Sequence, residues 1–261
     1  MSKFNSLELK DHINFLKKNV FFVETKWPHF DILFDDLIKL SKKTKNNSNV
    51  LFLERGGLYG NISIWAPLFY KNNITSIDCS SNNIKKRGQY NKKLIDVKKI
   101  INWPISYFSN YKKISVKKNS LDLIIIPNLF HHIEDHDFLI NKCFSFLKKG
   151  GRLYIFEPIL REVHQAPDDF LRFTPYGLKN IIKKNRFKIE KISTSGGPFS
   201  AIIYCWDQAL QYLPDKLRKK KNKWLYGNEI KKLFEFEKKY KTNKIRKNSS
   251  FPLSFSIIAK K

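Results

Sequence analysis

Two adjacent histidines, His131 and His132, stand just beyond an apolar run, and a second polar cluster follows at Arg161, Glu162, His164, Asp168 and Asp169. Imidazole titrates near neutrality, so a histidine placed past a strand end can take a proton from an attacking hydroxyl. His132 is the candidate base, and His131 is expected to face elsewhere. Arg161, His164, Asp168 and Asp169, with Tyr176, are candidate substrate contacts, because a loop that gathers cationic and acidic groups suits a polar ligand. A solvated, salt-bridged loop would have the same composition. Earlier in the chain, Gly56 and Gly57 follow the run from Val50 to Leu53, and Asp78 comes 22 residues after Gly56. A glycine there lets a cofactor approach the backbone. An acid closing the next strand can accept both hydroxyls of a ribose, although a helix N-cap also uses aspartate. Glu54, Gly56, Gly57, Asp78, Cys79 and Asn128 are therefore the candidate cofactor contacts. No metal ligand is expected.

Those residues need strands to carry them. Val50–Leu53, Ile74–Asp78, Leu121–Ile126 and Arg152–Glu157 have the length and character of buried strands, and further strands are expected at Phe187–Thr194 and Phe251–Ala259. Helices are expected over residues 4–18, 28–43, 61–70, 136–148, 199–213 and 228–241, and a polar helix after Asp78. Thr174-Pro175 is a helix start, with the hydroxyl as N-cap and proline in the first turn. Lys149-Gly150-Gly151 is expected to close the 136–148 helix as a glycine cap. Residues 92–119 give no clear pattern. Strand and helix alternate from residue 50 onward, which predicts an α/β fold with a mainly parallel sheet. In such sheets ligands bind beyond the carboxyl ends of the strands, where Glu54, Asp78, Asn128, His132 and Glu157 all fall.

The segment NSLDLIIIPNLFHHIED at residues 119–135, continued by FLKKGGRLYIFEP at 146–158, resembles the class I S-adenosylmethionine-dependent methyltransferases, in particular the small-molecule type 11 subset. Ile77-Asp78-Cys79-Ser80 and FTPYGL at 173–178 are similar to further motifs of that family. The resemblance spans about residues 48–195 plus the last strand. It implies a Rossmann-like fold with a seven-stranded sheet in the order 3-2-1-4-5-7-6 and S-adenosylmethionine bound across strands one, two and four. The first motif departs from the family pattern of acidic-x-Gly-x-Gly-x-Gly. Phe52 stands in place of the acid and Glu54 in place of the first glycine. Residues 1–47 are expected to form an N-terminal helical cap, and 48–261 the methyltransferase domain, with a helical, basic insertion at 195–250.

The 261 residues carry a net charge of +27, from 42 Lys and 8 Arg against 23 acids. That charge alone suggests a nucleic-acid partner. Its distribution argues otherwise: residues 50–119 carry +10 and 215–261 carry +12, while 120–214, which holds the histidines, carries only +2. The preference for Lys over Arg, with five Ala, fits compositional drift on solvated faces. The run Lys216–Lys223 offers a docking surface for an anionic membrane or nucleic acid. No apolar stretch reaches membrane-spanning length, the N-terminal stretch lacks a signal-peptide core, and Cys79, Cys143 and Cys205 form no disulfide framework, so a cytoplasmic location is expected. The expected activity is methyl transfer to a small polar acceptor: a sugar, a glycan intermediate or a lipid-linked molecule. The alternatives are an RNA-directed methyltransferase, against which residues 127–130 (PNLF) lack the pattern for base amines, and a non-catalytic binding protein that kept the fold.

Overall fold

A computed structural model describes residues 6–16, 29–55, 65–79, 106–107, 111–164, 166–240 and 251–261. Its elements are α1 (Ser6–Leu16), α2 (His29–Lys43), β1 (Asn49–Glu54), β2 (Asn73–Asp78), β3 (Ser106–Tyr107), β4 (Leu121–Pro127), α3 (His136–Phe146), β5 (Leu147–Pro158), α4 (Pro175–Lys184), β6 (Lys188–Ser195), α5 (Pro198–Leu210), α6 (Asp215–Trp224), α7 (Ile230–Lys239) and β7 (Ser254–Lys260). The strands form one sheet in the order β3-β2-β1-β4-β5-β7-β6. β1 pairs in parallel with β2 and β4, and β4 with β5, whereas β7 runs antiparallel between β5 and β6. This is the order that the resemblance implied.

The central strands are apolar throughout because both faces are covered. Alternate residues go to opposite layers, as the pleat requires. Leu51, Leu53, Ile124, Ile126, Leu153 and Ile155 pack with Leu139, Ile140 and Cys143 of α3 and Leu178 and Ile182 of α4. Val50, Phe52, Leu123, Ile125, Tyr154 and Phe156 pack with Leu33, Phe34, Leu37 and Leu40 of α2 and with the 65–69 turn. Asp36 on the buried face of α2 adds a polar clamp. It accepts from Ser256 Oγ of β7 at 2.6 Å and from Lys191 Nζ of β6 at 2.7 Å.

Thr174 caps α4 as expected, its Oγ1 accepting from Gly177 N at 3.1 Å, and Asp135 caps α3 by accepting from Phe138 N at 3.0 Å. The glycine pair does not close α3. That helix ends at Phe146, with Leu147 already extended. Gly150, at φ +80°, lies inside β5, where the pairing jumps from Leu121↔Leu147 to Leu123↔Arg152. The residues between form a bulge, and glycine supplies the positive φ that a bulge needs. Of the 61–70 helix, residues 61–64 lie outside the described residues and Ala66–Phe69 is a 3-10 turn. The polar helix expected after Asp78 also lies outside them. The basic run is itself helical, as α6. Among the described residues no helix is long and apolar enough to cross a membrane.

Candidate functional site

The carboxyl ends of β1, β2, β4 and β5 lie side by side. Glu54 and Asp78 are register partners there, both fully buried, and Cys79 N donates to Glu54 O at 2.7 Å. Burial pushes the Cys79 thiol up to about 12, helped by the negative charges of Asp78 and Glu54, so it is a thiol rather than a thiolate at neutral pH. Phe52 belongs to the core, edge-on to Phe69 at 5.8 Å. Asn128 ends β4 at φ +54°, with its N–H donating to Phe156 O at 2.9 Å. Gly56 and Gly57 lie outside the described residues.

Beyond β4 the chain makes the 3-10 turn Phe130–His132. Glu157, buried at the end of β5, holds this turn. Its Oε1 accepts from Leu129 N at 3.0 Å and Phe130 N at 2.6 Å, and its Oε2 accepts from His131 N at 3.3 Å and His131 Nδ1 at 2.6 Å. The sequence marks Glu157 only as a strand-end acid. Its anchoring role depends on the pairing of β4 with β5. The loop after β5 folds back onto the turn through Phe170 N donating to His131 O at 2.9 Å and His132 Nδ1 donating to Asp168 O.

That fold-back brings three histidines together. The rings of His131 and His132 lie 4.0 Å apart, and His164 is 5.2 Å from the first and 5.0 Å from the second. His131 therefore does not face elsewhere, since the Glu157 anchor turns its ring into the cluster. No metal ligand is expected from the sequence, and one ring nitrogen from each of the three falls within 4.8 Å of the others. The sequence separation of His164 from the pair hides this. Burial, reinforced by His131, pushes His132 down to about 3. Burial with the Arg161 charge lowers His164. Both are neutral imidazoles at physiological pH.

The surrounding charges are paired. Asp169 takes Arg172 in a two-pronged bridge, Nη1–Oδ1 at 2.5 Å and Nη2–Oδ2 at 2.8 Å, and accepts from His164 N at 2.9 Å. Burial opposes ionisation of Asp169, yet these bonds hold its carboxyl well below the usual range. Asp168 bridges Arg55, at the end of β1, at 2.6 Å. Arg161 lies 3.5 Å from Glu162, and Glu162 accepts from Tyr204 Oη of α5. Of the expected substrate residues, His164, Asp168 and Asp169 join the cluster and Arg161 flanks it. Tyr176 does not: it sits on the first turn of α4 and is 73% exposed.

Residues 53–155 match the family model described as a methyltransferase domain. No curated protein matches the sequence. Among solved structures, a putative sarcosine dimethylglycine methyltransferase from Galdieria sulphuraria is 12% identical, with TM-score 0.53 over 88% of this chain and 84% of that one. A methyltransferase described as S-adenosylmethionine-dependent, from Archaeoglobus fulgidus, is 17% identical, with TM-score 0.50 over 88% and 94%. A putative methyltransferase from Bacillus halodurans is 13% identical, with TM-score 0.50 over 87% and 98%. At such identities these are likenesses of fold. The buried carboxylate closing β2, beside the end of β1, fits the ribose of S-adenosylmethionine. Together with the strand order, it gives the matched stretch, residues 53–155, the features of a class I S-adenosylmethionine-dependent methyltransferase domain of the type 11-like kind.

Proposed function

We propose that the enzyme methylates a hydroxyl of a small polar acceptor, of the sugar, glycan or lipid-linked class, held at the ends of β4 and β5. The observation that carries this reading is the histidine cluster at the carboxyl ends of those strands, next to the strand ends that would hold the cofactor. S-adenosylmethionine, when bound, supplies a methyl group on a sulfonium. Asp78 would take the ribose hydroxyls, with Cys79 next to it in the chain and Asn128 beyond β1, at the end of β4. Phe52 lies in the core, so the acid of the first motif is Glu54, and acidic-x-Gly reads Glu54-Arg55-Gly56. The departure from the family pattern then narrows to Leu58 at the middle glycine. Neutral His132 keeps its Nδ1 on Asp168 O, which leaves Nε2 to accept the acceptor's hydroxyl proton. Arg161 and the Arg55–Asp168 pair orient polar groups. An apolar cavity of about 570 Å³, lined by Leu160, Ala201, Ile202, Trp206 and Phe251, adjoins the loop and supports an acceptor with an apolar portion.

Calorimetry with S-adenosylmethionine tests the cofactor half. Binding by the wild type and at least tenfold weakening in Asp78→Ala are expected, and no heat from the wild type would overturn the reading. Transfer of a labelled methyl group to a panel of hydroxylated, lipid-linked and RNA acceptors tests the rest. Exclusive, salt-sensitive labelling of RNA would replace the small-molecule acceptor.

A further inference from the structure

We infer that His131, His132 and His164 form a binding site for a divalent transition metal, zinc foremost, with three imidazole ligands and a fourth position open to an oxygen ligand. The site itself does not depend on the proposed acceptor. Its role in methyl transfer rests on that reading.

The argument starts from the outer nitrogens. His131 Nδ1 faces the Glu157 carboxylate at 2.6 Å, His132 Nδ1 faces Asp168 O, and His164 Nδ1 faces Glu162 O at 3.2 Å, with Asp169 Oδ2 at the same distance. All of these partners are acceptors, so each Nδ1 carries the hydrogen. His132 and His164, both held neutral by burial, then present Nε2 as a lone pair, and His131 turns its Nε2 towards His164. A backbone carbonyl or carboxylate behind every imidazole is the support that metal-bound histidines have, since it fixes the tautomer and raises ligand basicity. The rings also converge. His131 Nε2 and His164 Nε2 lie 3.4 Å apart, and two nitrogens about 2.0–2.1 Å from a tetrahedral zinc stand about 3.3–3.4 Å apart. That spacing suits a hydrogen bond from one ring to the other, and equally a cation held between the two nitrogens. One ring nitrogen of His132 lies within 4.8 Å of a ring nitrogen of each of the other two. Three imidazoles with an open position are a donor set suited to zinc, cobalt or nickel rather than to magnesium or calcium. A metal held there would bind the acceptor oxygen and lower the pKa of its proton, which would pass to solvent water; His132, with its Nε2 on the metal, would then serve as a ligand in place of its proposed role as base.

The test uses tag-free, full-length protein dialysed against a chelator and titrated with Co²⁺. The expected result is one equivalent bound with the visible bands of tetrahedral cobalt, displaced by one equivalent of Zn²⁺. His164→Gln, on a loop that keeps its other contacts, is expected to abolish the bands. Glu157→Gln is expected to weaken binding about 10- to 100-fold. No tetrahedral spectrum from the wild type would overturn the site, as would an unchanged spectrum in a folded His164→Gln. Neither readout needs S-adenosylmethionine or an acceptor, so failure of the methyl-transfer reading leaves this test intact. If cobalt binds but labelled-methyl transfer is the same with and without metal, the site stands and its role in transfer does not.

Discussion

One buried carboxylate organises the site. The two oxygens of Glu157 take three backbone N–H groups and the imidazole of His131, so the turn after β4 has its orphan donors satisfied by the end of β5. In Glu157→Gln one oxygen becomes an NH2 group facing N–H donors, and at least one buried donor loses its acceptor. A loss of about 2–3 kcal/mol is expected, read as a lower urea midpoint with unchanged m-value, while Glu157→Asp is expected to recover part of it. An unaltered midpoint would mean that the turn does not depend on this anchor. Neither the anchor nor the cluster was fully legible in the sequence. His132 stood out because it follows a strand. His131 was misplaced because the sequence does not show that this stretch is a 3-10 turn, whose tight winding sets both rings on one cluster. His164 joins them only because the loop returns through Phe170 to His131 O.

Elements were more legible than contacts. β1 and β4 announce themselves as continuous apolar runs because both of their faces are buried, and α4 by the Thr174-Pro175 start. The glycine pair at 150–151 misled because positive φ serves a bulge as readily as a helix cap. The helical segment between β6 and β7 shows a contact that no local pattern encodes. The N-cap of α5 is Gly197, which has no side chain to offer. A carboxylate from α7 does the capping instead: Glu237 accepts from Ser200 N at 2.8 Å and from Ser200 Oγ. A Cβ on Gly197 would come within 2.8 Å of that carboxylate, so the glycine makes room for its substitute cap. A negative charge at a helix N-terminus also suits the macrodipole. Glu237→Ala is expected to cost about 1–2 kcal/mol and to speed amide hydrogen exchange in the first turn of α5, at Ser200 above all. Unchanged protection there would show that α5 and α7 hold together without the cap.

At the scale of the whole molecule, charge and buried histidines pull stability the same way with pH. His132, His136 and His164 are held below their ordinary value, chiefly by burial, whereas an unfolded histidine titrates near about 6.5. Below that pH the unfolded chain binds protons that the folded chain refuses. The folded state is therefore fully favoured above pH ~6.5 and loses stability as pH falls, by up to about 1.4 kcal/mol per pH unit for each histidine that stays neutral. The chain already carries +27 at pH 7, and added protons increase its self-repulsion. Salt separates the two causes. At about 0.5 M the Debye length is only about 4 Å, which screens surface repulsion but leaves the desolvation of buried imidazoles. Chelator-dialysed protein should show a urea midpoint that falls steadily from pH 7.5 to 5, with most of the slope surviving in high salt. His136→Gln should lower that slope, because it removes one of the three groups while its side-chain amide can still donate to Phe130 O, the present partner of His136 Nε2 at 3.0 Å. A slope abolished by salt would assign the effect to the lysine-rich surface instead of the histidines.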